Sequence, residues 1–163
     1  MASTAGLISL PSWAQGWSAS TLKHSTKFLA EERSLLASVA DTIIPAGDGP
    51  GALTVGVDKF LQKLFENCYD SAVQENIKTQ LTKLETLAQT THQQSFTTCN
   101  QQQREELLLK FSNSENENEK EFFKLIKSET IRGYNTSKEV MVTYLKYQQV
   151  PGHYYGCVDI KAQ

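Results

Sequence analysis

The side chains able to do chemistry in this chain are few and scattered. His24, His92 and His153 are its imidazoles, and Cys68, Cys99 and Cys157 are its thiols. Brought together by the fold, the histidines and nearby carboxylates would make a free-standing metal protein or enzyme. No two of them stand four residues apart on a helix, the spacing that puts a metal-binding pair on one face, so solvated or capping histidines are the ordinary reading. The cysteines show no C-x-x-C spacing for zinc or an iron–sulfur cluster. The loop Gly47-Asp48-Gly49-Pro50-Gly51 has neither a lysine nor a preceding strand, and reads as a turn rather than a phosphate cradle. Asp41, just before Ile43-Ile44-Pro45, is expected to tie down that turn through its backbone and not to act as an acid. Asn135-Thr136-Ser137 fits a glycosylation sequon, a pattern too common by chance to carry an argument.

The elements that must position these groups are helices. From Glu31 onward, Leu35, Leu36, Val39, Ala40 and Ile43 form one apolar stripe, and Pro45 ends it. A second helix starts near Val57 and buries Phe60, Leu61, Leu64 and Phe65. A third follows Asp70, whose carboxylate suits an N-cap, and carries Val73, Ile77, Leu81, Leu84 and Ala88 inward. A fourth spans Gln101 to Phe111 with Leu107, Leu108 and Phe111 inside. Residues 112–119, SNSENENE, are too polar to offset their own ordering entropy and read as a mobile surface loop. Phe122, Phe123, Ile126 and Ile131 line a fifth helix, which Gly133 is placed to end in a left-handed cap. Ser137 starts a last short helix with Val140, Met141, Tyr144 and Leu145 apolar. No period-2 alternation lasts long enough for a sheet. The expected fold is all-α: one irregular bundle of about six helices over residues 30–163, with a non-helical C-terminal tail.

Composition excludes several function classes. The 163 residues suffice for one domain with a real core, and a net charge of −2 with interleaved signs argues against a nucleic-acid groove or a polybasic membrane patch. Residues 2–19 are uncharged, rich in Ala, Ser, Leu and Gly, and broken at Pro11, like the second half of an export signal. Ser12-Trp13-Ala14 offers small residues at the positions a signal peptidase inspects. The basic start of such a signal is missing, since the first basic residue is Lys23, so residues 1–29 read as the remnant of a longer leader followed by an extended segment. In an exporting context three cysteines leave one thiol unpaired within the chain; three separate buried thiols are the alternative.

Five of the six tyrosines, Tyr134, Tyr144, Tyr147, Tyr154 and Tyr155, fall in the last thirty residues. Two readings stand for them. Exposed, they would be rigid amphipathic anchors for a partner; otherwise they finish the core with their hydroxyls in water.

Two stretches together carry a resemblance. LLASVADTIIPAGDGPGALTVGVDKFL, residues 35–61, resembles the opening signature of the gluconate 2-dehydrogenase subunit 3 family. Residues 123–157, from FKLIKSETIRGY to VPGHYYGC, resemble its closing one, and the matching positions include Asp41, Thr42, Pro45, Gly51, Thr130, Gly133, Tyr134, Ser137, Pro151, Gly152, Tyr155 and Cys157. Asp58 stands where the family often has proline, a change confined to a helix start.

The resemblance implies a small subunit without catalytic residues or a cofactor of its own. Its partner would be a GMC-type flavoprotein carrying FAD that oxidises a sugar, polyol or sugar acid and passes electrons towards a cytochrome c. It further implies a periplasmic location, membrane contact only through the complex, and export of the folded partner by the twin-arginine route, for which the subunit bears the leader. The surface it assigns to the partner holds Tyr134, Tyr147, Pro151, Gly152, Tyr154, Tyr155 and Cys157. Cys157 would then bond the large subunit, leaving Cys68 to pair with Cys99.

Overall fold

A computed structural model of the chain describes residues 27–150 together with Gly152 and Cys157. Within them the fold is all-α and a single domain, as expected. Its helices are α1 (Ala30–Ile43), α2 (Val57–Cys68), α3 (Ser71–His92), α4 (Gln101–Ser112) and α5 (Glu117–Asn135), followed by a short π-helical segment, Val140–Tyr144. None of the described helices is long and apolar enough to cross a membrane. The leader-like residues 1–26 lie outside the described residues.

Local chemistry sets most boundaries. Glu32 Oε2 accepts from the Leu29 N–H at 2.7 Å, so the first turn of α1 satisfies one of its free donors. Asp70 Oδ1 accepts from the Val73 N–H at 2.9 Å and starts α3. Asn100 and Gln103 exchange bonds of 2.9 and 3.0 Å in a capping box that opens α4. Gln74, buried on α3, donates to the carbonyls of Phe65 and Tyr69 at 2.8 Å each and so closes the end of α2. Glu85 accepts from Ser95 Oγ and the Phe96 N–H at 3.1 and 3.0 Å, which holds the α3–α4 loop where Phe96 can plug the core.

Helices α1 and α5 each pack on all four others, while α2 is held mainly between those two. The core follows the expected stripes: Leu35, Leu36, Val39 and Ala40 from α1, Leu61 and Phe65 from α2, Ile77, Leu81, Leu84 and Ala88 from α3, Leu107, Leu108 and Phe111 from α4, and Phe122 and Ile126 from α5.

Four expectations are corrected. The polar run 112–119 is not all loop, because α5 begins inside it at Glu117. Asn116 caps the Asn118 N–H at 3.0 Å, the acids Glu117 and Glu119 occupy the first turn where the helix dipole favours them, and Lys83 of α3 reaches Glu119 at 3.3 Å. Asp41 does not bond its own turn; Arg104 of α4 donates to Asp41 Oδ2 at 3.1 Å while Gln101 donates to the Thr42 carbonyl at 2.9 Å. Ile131 is 40% exposed, and Thr130 is buried in its place.

Gly133 does not end α5 but sits buried in its last two turns, because the Phe60 ring of α2 lies against it. A Cβ there would stand 2.5 Å from Phe60 Cδ1. The helix runs on to Asn135 and is closed by Thr136 Oγ1 donating to the Arg132 carbonyl at 2.8 Å. Gly133→Ala gains about 1 kcal/mol of helix propensity against an overpacking cost of about 1–3 kcal/mol. A net loss of up to about 2 kcal/mol in urea unfolding is expected. In a Phe60→Leu background the same change should become neutral or stabilising. Equal losses in both backgrounds would mean that the ring does not decide the matter.

Candidate partner interface

The loop between α1 and α2 and the end of α5 build one corner of the molecule. The Ala52 N–H donates to the Ile44 carbonyl at 2.9 Å and closes the loop. Glycine is required at 51, where a Cβ would come within 2.6 Å of the Ala46 nitrogen. Tyr134 Oη donates to the Pro50 carbonyl at 2.9 Å and pins the loop to α5. Tyr134 is therefore half-buried and engaged in this joint rather than offered with the exposed rings.

Beyond Ser137 the chain turns outward. Its hydroxyl donates to the Tyr134 carbonyl at 2.8 Å and accepts from the Val140 N–H at 3.4 Å. Of the π-helical segment only Val140 is buried. Tyr144, Leu145 and Tyr147 are 53, 59 and 54% exposed, and Val142, Val150 and Leu53 are exposed as well. Tyr144 lies over Gly49, where a Cβ would meet its hydroxyl at 3.8 Å. Beside it an open groove of about 550 Å³ runs between residues 54–56 and one side of 137–143. Lys146 adopts φ 52° and the Tyr147 N–H bonds the Met141 carbonyl at 2.9 Å, so the exposed rings stand on a turn held by its own backbone.

Sequence periodicity assigned Tyr144 and Leu145 to an apolar helix face but not to solvent. The signal available was length: so short a segment cannot cover both of its sides. Val142 and Leu53 carried no such signal. Of the other residues assigned to the interface, Gly152 and Cys157 are exposed, and Pro151, Tyr154 and Tyr155 lie outside the described residues.

Cys68 and Cys99 are not paired, which corrects the expected link between them. Cys68 is exposed as the last residue of α2, whereas Cys99 points into the core. Burial, with Glu85 adding to it and Arg104 opposing, pushes the Cys99 thiol up, which keeps it in its unreactive protonated form. Cys157 is an exposed free thiol. Burial and the hydrogen bond to Glu129 likewise raise the Tyr69 phenol, so it stays a donor, at 3.1 Å.

Among the described residues no three His, Cys, Asp or Glu side chains gather as a metal site would require. His92 meets Gln103 at 3.4 Å, and His24 and His153 lie outside the described residues.

A sequence profile described as gluconate 2-dehydrogenase subunit 3 matches residues 30–152. The chain belongs to that family. No curated protein and no solved structure matches it. The family's name makes its members subunits of a multi-subunit dehydrogenase. The match starts on the first residue of α1, takes in Tyr144 and Tyr147, and stops before Cys157. The fold brings residues 35–61 against the C-terminal end of α5. They meet where Tyr134 bonds Pro50 and where Gly133 receives Phe60.

Proposed function

We propose that this chain is the non-catalytic small subunit of a GMC-type, FAD-dependent sugar, polyol or glucoside dehydrogenase. Oxidation takes place in the large subunit, which hands electrons towards a cytochrome c. This chain assists the folding and stability of the flavoprotein and carries it by the twin-arginine route to the periplasm, with Cys157 available for a covalent link to it. One observation carries the reading: a family-matched segment exposes Tyr144, Leu145 and Tyr147 together although the helical core is complete without them. A cluster of large apolar side chains left in water marks a surface that another molecule covers, and tyrosine contributes contact area there at little entropic cost.

The test is co-purification of the tagged chain, expressed with its full leader and neighbouring genes. A yellow partner of ~60 kDa, a size suited to a chain of several domains, is expected in equal amount, with secretion lost when the leader is deleted. A colourless monomer with no partner would overturn the proposal.

A further inference from the structure

A second unpartnered surface shares no residue with the C-terminal corner. Two adjoining hollows of about 230 and 470 Å³ follow the seam between α4 and α5 and have Phe123 and Lys127 in common. Leu108 and half-buried Phe123 form the floor, while Leu109 and Ile131 stand 56 and 40% exposed on the rims. Lys120, Lys124 and Lys127 line the α5 side at the spacing of one helix face.

The charge in this groove is unbalanced. Lys120 pairs with Glu117 at 3.0 Å, but Lys124 and Lys127 make no ion pair among the described residues. Lys127 instead lies over the Phe123 ring at 5.8 Å. Among the described residues the one acid lining the hollows is Glu105, whose carboxylate already accepts from Gln101 at 2.8 Å.

We infer that this groove docks an acidic, amphipathic segment of a partner protein, whose apolar side chains fill the seam while its carboxylates meet Lys124 and Lys127. The chain's own ends do not fit. Residues 1–26 contain no acid and already carry Lys23, and residues 151–163 set one Asp against one Lys. A second copy presenting the same face would bring lysine to lysine. A planar lipid surface does not reach the floor of a groove, whereas a helix or extended ridge does. The inference rests on the reading of the chain as a subunit.

A photo-crosslinking residue is placed at Leu109, at Ile131 and, as reference, at Tyr144 in the tagged chain co-expressed with its neighbouring genes. Cross-linked peptides are then mapped by mass spectrometry. From Leu109 and Ile131 the expected product is a partner peptide of net negative charge. Its yield should fall about tenfold in a Lys124→Glu/Lys127→Glu variant and less in Lys124→Gln/Lys127→Gln, with a similar loss in about 500 mM salt. Both lysines are exposed, so unchanged thermal melting shows that the variants fold. Cross-links from Tyr144 but none from the groove would overturn this inference and leave the subunit reading standing. Products that are neutral or basic peptides, lipid, or a second copy of this chain would overturn it too. Absence of a partner at all three positions removes the subunit reading, and the inference with it.

Discussion

A chain carrying Tyr144→Ser, Leu145→Ser and Tyr147→Ser should lose its partner while keeping its fold. Two aromatic anchors at about 2 kcal/mol or more each amount to a loss of affinity of several hundredfold or greater. The fold should not notice, because all three side chains are more than half exposed and Val140 alone anchors their segment in the core. Surface substitutions away from packing cost within about 0.5 kcal/mol each. The turn beneath them rests on backbone bonds, Leu145 N–H to Val140 at 3.0 Å and Tyr147 N–H to Met141 at 2.9 Å, which serine preserves. Pull-down of the partner and thermal melting by circular dichroism are measured on the same preparation. Undiminished partner recovery would clear this surface of any role in assembly. A fall in melting temperature of about 5 °C or more would instead mean that the rings finish the core, the other reading the tyrosine cluster allowed.

The second large effect is on stability. Phe65→Ala should cost about 3–5 kcal/mol, a large share of the roughly 5–15 kcal/mol that holds a domain together. Phe65 is fully buried, and its ring tilts against that of Tyr69 at 5.3 Å. Its surroundings have little freedom to collapse into the space left behind. Its carbonyl and that of Tyr69 are both held by Gln74, and Tyr69 is held in turn by Glu129. Phe65→Leu, which keeps most of the volume, should cost about 1.5 kcal/mol or less. Urea unfolding of the three proteins reads the difference directly. A loss below about 1 kcal/mol for the alanine variant would show that the α2–α3 corner relaxes to fill the cavity.

Both effects depend on which face of a helix ends up covered, and here sequence and tertiary structure divide. The stripe Leu35, Leu36, Val39 and Ala40, the N-cap at Asp70 and the end of α1 before Pro45 were legible from the chain alone. Each depends on groups within a turn or two of one another, so helical period and capping chemistry suffice. The polar run misled because its composition suits a loop while Glu117 and Glu119 also suit the first turn of a helix. A contact from Lys83, on another helix, joins in favouring the latter.

The candidate surface was legible only as a concentration of tyrosines. Tyr134 and Tyr144 are the same side chain ten residues apart, yet one bonds Pro50, 84 positions away, and the other faces water. Asp41 finds Arg104 across 63 positions, and Gly133 belongs inside α5 because Phe60 of another helix rests on it. The sequence by itself determined that the chain makes helices, which stripes they bury and where most begin. Which rings, acids and glycines those helices press together, and which they leave to solvent, was decided by the tertiary structure. The partners in those contacts stand dozens of residues apart, beyond the reach of any local pattern.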